Sequence, residues 1–585
     1  MLILYVNRIL YFYKLLSIII YLHNRIKNIK MKIVKLGLLV LLLNSCGLSK
    51  MSSDYHKVKY EQTPAVLEVH GGYVIVDLEG TFPSQYFAKK ATVEITPVII
   101  SENGEESTLK SIILQGEQAT GGEYTIFFES GGEFVYEDKI EYTDAMKTSK
   151  LELRAVAILE DDNKVLGPIT IAEGVISTSQ RVANTEIVAV ADHGYKEIEV
   201  VSETATIYFL VNKSNIRTTE KSDDDVKKLQ EFIKQGYKTE SFVVKSSASP
   251  EGTEKINTEL SDDRKNSTLT YAKYLLKRLK ADGSNDDENY NLSSAGADWN
   301  GFNKLVENSS IVEKNTILSL TDRNKKKSQK EKGELLQDMA EVYDALEGDV
   351  LQYLRKSEIK INSYLPKKTR EEILLLSTTN PSELSVEELL YSATLTENSA
   401  NSISIYNKVI ELHNDWRAYN NIAVSYLNTA DVENAMIYLQ KAKNNGGENE
   451  SSVLTNLGIV ASWNGDLNKA QKLFDQANTS NYNKATLNLR MGDYRSATRY
   501  YRGNNTYNAT LANILNGNNN STCSENTAAC YYLNAIAGAR SGNEEVLFSN
   551  LEKAISADES YKVESLIDLE FSNYTEHEKF ISLTK

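Results

Sequence analysis

The chain has 585 residues, of which 41% are hydrophobic and 25% charged, an ordinary composition for a soluble globular protein. A single hydrophobic core rarely organises so long a chain, so we expect about three or four domains. The formal net charge is −15, and residues 1–45 contain seven Lys/Arg and no acid, so the remainder has 58 basic and 80 acidic residues and a charge of −22. Such an acidic surface repels a nucleic-acid backbone, which argues against DNA or RNA as a partner.

Residues 1–45 have the pattern of a targeting signal rather than of a domain. After Met31, two lysines precede an apolar run at 36–43 and a cysteine at position 46. A basic start followed by a short hydrophobic stretch is typical of a secretory signal. The run is shorter than the roughly 20 residues that span a bilayer, which argues against the alternative of a transmembrane anchor. Translation is then expected to begin at Met31, with a second membrane segment in residues 1–30 as the alternative.

Cys46 stands where such a signal is cleaved, and this arrangement resembles a lipobox, in which the thiol is acylated and becomes the new N-terminus. The resemblance implies a lipid anchor in the outer membrane, followed by a linker over residues 46–62. No acidic cluster follows Cys46, whereas surface-exported lipoproteins of some bacteria resemble one another in carrying acids there. We therefore expect the protein to face the periplasm.

Residues 63–203 are predicted to form a β-rich domain. Segments at 73–78, 93–96, 124–128 and 151–158 are rich in β-branched and aromatic residues, and several alternate apolar with polar residues. Paired glycines and Asn-Gly between them are typical of turns. The pattern predicts an antiparallel, sandwich-like fold and contains no reactive constellation.

Residues 204–370 change to a strand–helix–strand–helix order, which predicts an α/β unit. The polar stretch at about 281–350 is predicted to be a helical insertion before a closing strand. The elements in this reading are strands at 206–210 and 241–244, helices at 223–234 and 256–279, and the closing strand at 355–364.

This α/β unit carries a motif. The run Ser249-Pro250-Glu251-Gly252, followed by Asn257, Leu260-Ser261 and Arg264, resembles the OmpA-like peptidoglycan-associating family, and the stretch 354–359 resembles its closing motif. There, an acidic, glycine-containing loop precedes Asn-x-x-Leu-Ser-x-x-Arg on the second helix. The resemblance implies an OmpA-like fold that binds the peptide of the cell wall.

In that family an aspartate and an arginine grip the diaminopimelate of the wall peptide, because a guanidinium pairs with a carboxylate while the acid takes the ammonium. By resemblance, Arg264 matches the family arginine, and Arg355 falls on an arginine of the closing motif. The family aspartate falls on the uncharged Ser249, and Glu251 is the nearby acid that would supply the charge. With Asn257, these residues form the expected peptidoglycan site.

Arg264 also has a purely structural interpretation. It lies next to Asp262 and Asp263, and pairing with either would stabilise the start of the helix. Exposed ion pairs of this kind contribute little to stability.

From residue 371 to 585 the pattern is helical and repeats. Ala435 and Ala470 have the same surroundings, each following an aspartate, and further copies stand around Ala497 and Ala554, the copy at Ala497 with a shortened first helix. This spacing of small and large residues is typical of tetratricopeptide repeats, whose helix pairs bury their faces against neighbouring pairs. We expect a protein partner in the concave surface of the repeats.

Cys523 and Cys530 lie in the same region, where either a disulfide in an oxidising compartment or two free thiols is expected.

The sequence contains no recognisable catalytic constellation. Its six histidines are scattered, and it has neither a phosphate-binding Gly-x-x-x-x-Gly-Lys-Ser/Thr loop nor a Gly-x-Ser-x-Gly nucleophile elbow. We therefore expect no catalytic residues, no metal and no cofactor. The leading hypothesis is a non-catalytic, lipid-anchored envelope scaffold; the alternative is a surface-exposed assembly or adhesion component whose OmpA-like module does not bind the wall.

Overall fold

The structure is a computed structural model that describes residues 14–27, 47–321 and 344–585, together with four isolated positions between 328 and 338. Cys46 and residues 28–45 lie outside the described residues, so the expected lipidation site stays a prediction. Within the described part, no helix is both long enough and apolar enough to cross a membrane.

The chain divides into two compact units. The β-repeat unit comprises Met1–Ala191 and Asn414–Lys585, and the central unit comprises Asp192–His413. This division differs from the expected boundaries, because the β-rich region and the repeats share one unit and the helices at 371–413 belong with the central unit.

Two sheets form the β-rich region around one core. Alternating side chains point into it, among them Val74, Val76 and Leu78 from one sheet and Val93 and Ile95 from the other. The strands are β1 (Lys59–Gln62), β2 (Leu67–His70), β3 (Tyr73–Phe82), β4 (Thr92–Ser101), β5 (Glu106–Thr108), β6 (Ile112–Gly116), β7 (Tyr124–Ile126), β8 (Gly132–Glu141), β9 (Ser149–Leu159), β10 (Asp162–Glu173) and β11 (Val175–Ile176).

One sheet has the order β1-β3-β2-β11 with β8 also on β3, and the other has the order β10-β9-β4-β6-β7 with β5 on β4. Most neighbours are antiparallel, as predicted, but β11 pairs with β2 and β7 with β6 in parallel. The region also ends earlier than residue 203. After a short 3-10 turn at Thr178–Arg181, residues 182–191 run without regular secondary structure.

A four-stranded mixed sheet organises the central unit, with strands β12 (Val200–Tyr208), β13 (Thr239–Ala248), β14 (Tyr290–Ala297) and β15 (Lys356–Tyr364) in the order β12-β15-β13-β14. The helices of this unit are α1 (Thr218–Lys221), α2 (Asp224–Lys234), α3 (Glu254–Arg278), α4 (Trp299–Asn308), α5 (Lys314–Thr321), α6 (Gln352–Leu354), α7 (Arg370–Thr379), α8 (Val386–Thr394) and α9 (Ser399–His413).

β14 corrects the prediction that residues 281–350 are an insertion. It pairs in parallel with β13 and is therefore a strand of the central sheet. The sequence hides it because Asn291-Leu292-Ser293-Ser294 contains small polar residues instead of the alternating apolar residues that mark a half-buried strand. The helical part of the expected insertion begins only after this strand, at α4.

Paired helices form the repeat region, as the spacing predicts. They are α10 (Trp416–Leu427) with α11 (Val432–Ala442), α12 (Ser451–Trp463) with α13 (Leu467–Ala477), α14 (Asn481–Arg490) with α15 (Tyr494–Tyr500), the single α16 (Tyr507–Leu515), α17 (Ala528–Ser541) with α18 (Glu544–Ala557), and the closing α19 (Ser560–Ile567) and α20 (Glu578–Thr584).

Small residues stand where the paired helices cross. A Cβ atom on Gly458 would lie 2.5 Å from the Phe474 ring, and one on Gly538 would lie 2.5 Å from the main-chain nitrogen of Leu547. The second helix of each of the first three pairs begins at an aspartate that caps it, as Asp493 does by accepting from the Ser496 N–H. The aspartate that recurs between the paired helices therefore marks a helix start.

Candidate functional site

An asparagine ladder on the repeats holds residues 182–191, which we call the resident segment. Four asparagines each accept from the main-chain N–H of one residue and donate to the C=O of the same residue, through eight hydrogen bonds of 2.7–3.1 Å. The pairs are Asn508 with Ala183, Asn483 with Ile187, Asn456 with Ala189 and Asn421 with Ala191.

These four residues, the ladder asparagines, occupy equivalent positions on the first helices of successive repeats: α10, α12, α14 and α16. The segment runs against the order of the repeats, from Asn508 towards Asn421 as its own numbers rise. Three of its bonded residues, 187, 189 and 191, are two positions apart, which is the period of an extended chain. An amide side chain has both a donor and an acceptor, so each ladder asparagine can satisfy both main-chain groups of one residue.

One acidic side chain of the resident segment is buried among the repeats. The Glu186 carboxylate accepts from the Trp463 indole N–H at 2.7 Å and lies 3.5 Å from the Arg490 guanidinium. Arg490 also donates to the Asn184 side chain at 2.6 Å. Because a buried carboxylate is costly unless it is hydrogen-bonded or paired, these contacts make Glu186 the chemically specific part of the segment.

Arg181, the residue just before the resident segment, enters an acidic pocket of the repeat region. Its guanidinium donates to Asp568 at 2.9 Å and to Glu564 at 2.7 Å, and lies over the ring of Tyr532. Burial alone would lower the pKa of Arg181, but the charge of Asp568 raises it, so the side chain stays charged. Arg181 thus fixes the chain just before the resident segment, and the ladder holds the segment along its length.

A further polar network ties the β-rich region to the last repeat. Arg540 pairs with Glu570 at 2.7 Å and with Glu68 of β2 at 3.3 Å, while Thr178 donates to Glu570. Burial raises the pKa of Glu570. Burial alone would also raise the pKa of Glu68, but a hydrogen bond with His70 and the charge of Arg540 lower it.

The structure also gathers the residues of the expected peptidoglycan site, all within the central unit. Arg264 of α3 is fully buried, and its guanidinium donates to the main-chain oxygens of Lys213, Ser247 and Leu210 at 3.0–3.3 Å. It stacks on the ring of Phe209. Burial lowers the pKa of Arg264 to about 10, and the nearby charge of Arg355 acts in the same direction.

The structural interpretation of Arg264, pairing with Asp262 or Asp263, is wrong. Asp262 instead accepts from Lys265 at 2.7 Å and from Ser294 at 2.5 Å, while the Arg264 guanidinium points inward to carbonyl oxygens. Arg264 is fully buried, and the sequence alone does not reveal that depth.

Arg355 is the partner of the acidic loop. It donates to Ser249 at 3.1 Å and to Glu251 at 3.0 Å on one side, and to Glu347 at 2.7 Å on the other. Burial alone would lower the pKa of Arg355, but Glu347 and Glu251 raise it. We call Arg264, Arg355, Ser249, Glu251 and Glu347 the arginine cluster.

Asn257 holds the loop of the cluster, because its side chain is buried and donates to the Gly252 oxygen at 3.0 Å. The expected site residues therefore come together around residues 249–252. Glu347, which bonds to Arg355, was not predicted, because the polar stretch around it gave no sign of its position.

The structure joins Cys523 and Cys530 by a disulfide, with their Cα atoms 5.5 Å apart. Among the described residues, Cys523, Glu525 and Cys530 have donor atoms close enough to share a metal ion, but the disulfide removes both thiolates.

Sequence reasoning missed the ladder asparagines, although a signal was present. Each stands ten positions before the residue that follows the repeat turn, namely Asp431, Asp466, Asp493 and Asn518. The same polar residue at the same place on the buried face of four helices is a signal of a shared ligand.

Comparison with known proteins supports the repeats. A family profile for the tetratricopeptide repeat matches residues 417–444, which cover α11 and all of α10 except its first residue. No curated protein matches the chain. The C-terminal region thus contains a tetratricopeptide repeat, as the spacing predicts.

Three solved structures resemble parts of the chain. A tetratricopeptide repeat protein from Parabacteroides merdae has a TM-score of 0.26 at 16% identity, over 41% of this chain and 98% of its own. YrrB, described as a TPR protein with an unusual peptide-binding site, has a TM-score of 0.21 at 16% identity. The match covers 35% of this chain and 100% of YrrB. A chain of the APC/C hetero-tetramer Cut9–Hcn1 has a TM-score of 0.21 at 13% identity. The match covers 63% of this chain and 60% of that chain. TM-scores this low support no conclusion about this chain.

Proposed function

We propose that this protein is a non-catalytic scaffold of the bacterial envelope that binds polypeptide through its repeats. The observation that carries this proposal is the asparagine ladder, which holds an extended chain by its main-chain groups. In the proposal an acyl group on Cys46 anchors the protein in the outer membrane, on the periplasmic side. The disulfide between Cys523 and Cys530 supports an oxidising compartment of this kind.

The central unit is proposed to be OmpA-like and to touch the peptide of the cell wall through the arginine cluster. Support comes from the way in which Ser249, Glu251 and Arg355 meet at one loop. The Arg264 guanidinium donates to main-chain oxygens, so its proposed role is to position the loop through the Ser247 carbonyl. A ligand carboxylate would then replace Glu347 on Arg355.

Retention on purified sacculi tests the wall-binding part. The wild type is expected to sediment with sacculi, and Arg355→Gln to lose most of this retention. Glu347→Gln is expected to increase retention, because it frees part of the Arg355 fork for a ligand carboxylate. Glu358→Gln is the matched control, since Glu358 pairs with Lys356 on the same strand and lies outside the cluster.

Arg264→Ala adds a check on the positioning role, and its folding is verified by circular dichroism. Equal retention of the wild type, Arg355→Gln and a folded Arg264→Ala would remove wall binding from the proposal.

Labelling with a radioactive fatty acid tests the anchor, because incorporation should disappear in Cys46→Ala. Protease treatment of intact cells separates the periplasmic proposal from the surface-exposed alternative, since a periplasmic protein survives it.

A further inference from the structure

The groove of the repeats is already filled by the chain's own resident segment. We propose that this segment is an internal competitor, and that the groove exchanges it for an extended segment of a partner polypeptide with a carboxylate side chain at the position of Glu186. The proposal rests on the repeat half of the proposed function. It names the chemistry of the partner and the contact that limits its access.

The ladder recognises main chain and tolerates different side chains. Ile187 and Val190 of the resident segment are 55% and 57% exposed, while the Ile187 main chain is bonded at both its N–H and its C=O. Every residue except proline offers the same pair of groups. A partner segment therefore needs an extended conformation and free N–H groups at alternate positions, rather than the sequence of the resident segment.

The carboxylate supplies the chemical selectivity. The Glu186 side chain is fully buried, with the Trp463 N–H at 2.7 Å, the Ser462 hydroxyl at 3.4 Å and Arg490 at 3.5 Å. An uncharged side chain at this position would leave Arg490 without the carboxylate that faces it here. Buried donors left unmatched weaken binding, so the groove should favour an acidic residue over its amide.

Covalent connection gives the resident segment its advantage. It is tied to the same unit through the β-rich region, so its effective concentration beside the ladder is on the order of millimolar. A partner segment with equal contacts must overcome this advantage before it binds. Weakening the internal contact should thus strengthen binding of an external segment.

The test measures binding of a fluorescein-labelled peptide, with the sequence of residues 181–192, to the full chain by fluorescence anisotropy. In the protein, Ile187→Pro together with Ala189→Pro removes two of the N–H groups that the ladder holds. This variant is expected to bind the peptide roughly tenfold more tightly than the wild type does. Val190→Pro is the matched control, because Val190 lies between two ladder positions and should leave the affinity unchanged.

A second variant, Glu186→Gln, weakens the internal contact without altering the backbone and is expected to tighten peptide binding several-fold. A peptide with glutamine in place of its own glutamate is expected to bind at least tenfold more weakly to the double-proline variant.

The outcomes separate the two proposals. If the double-proline variant binds no peptide at all while remaining folded, the repeats do not bind extended polypeptide and the repeat half of the proposed function fails. If the wild type binds as tightly as both weakened variants, or if the glutamine peptide binds as well as the glutamate peptide, only the further inference fails. Concentration-dependent dimers of the wild type in light scattering would overturn the inference in favour of exchange of the segment between two copies.

Discussion

Replacing Asn483 with alanine should release one position of the ladder. Asn483 exchanges hydrogen bonds of 2.7 and 2.9 Å with the N–H and C=O of Ile187. A net contribution of about 1 kcal/mol for each bond gives about 2 kcal/mol in total. Ile187 is 55% exposed, so water can replace part of the lost hydrogen bonding and no buried main-chain group is left without a partner.

The assay is amide hydrogen exchange of the resident segment, because exchange reports the local opening of this segment. A loss of about 2 kcal/mol in the local opening free energy lowers the protection factor of the Ile187 amide roughly 30-fold. The neighbouring ladder amide of Ala189 should lose protection to a smaller extent, since Asn456 still holds it.

Asn488→Ala is the matched control on the same helix, α14. The Asn488 side chain donates to the Lys484 oxygen one turn earlier and takes no part in the ladder. Its removal should leave the Ile187 amide as protected as in the wild type. Equal protection of that amide in Asn483→Ala and Asn488→Ala would refute the idea that the ladder holds the segment.

Three further results are expected. Gly458→Ala should destabilise the repeats by about 1–3 kcal/mol, seen as a lower Tm, because its Cβ would lie 2.5 Å from the Phe474 ring. Reduction of the Cys523–Cys530 disulfide should lower the Tm of the wild type through a loss of about 2–3 kcal/mol and leave a double-alanine variant unaffected. The pKa of Glu68 is lowered below 4.5 in the folded protein, so its stabilising effect is complete above that pH and is lost as the pH falls. The urea midpoint of Glu68→Gln should therefore lie below that of the wild type at pH 7 and approach it towards pH 3.

The repeats could be predicted from the sequence because their determinants are local. Gly458 and Asp466 fix a helix crossing and a helix start within a few residues of themselves, and the same pattern recurs in the next copy. β14 escaped prediction because its small polar residues have no period, and its pairing with β13 is visible only in three dimensions.

The arginine cluster illustrates a different limit. The structure brings Ser249, Glu251 and Arg355 together, while the role of these residues as a peptidoglycan site stays a prediction. The motif could not give the depth of Arg264, which depends on carbonyl groups of chain segments about 17 to 54 positions away. Nor could the motif predict that Glu347 pairs with Arg355, because that contact depends on how the polar stretch before β15 folds.

Residues 182–191 were predicted only as part of the β-rich region at 63–203, with no strand assigned to them. In the structure the main chain of this resident segment is bonded to asparagine side chains of the repeats. A strand requires donors and acceptors beside it, and a sheet edge and a row of amide side chains offer the same groups. The sequence of an extended segment therefore cannot say which of the two will bind it. The information lies in the asparagines that recur on the first helices of the repeats, and a search for the ligands of such proteins should begin with those recurring residues.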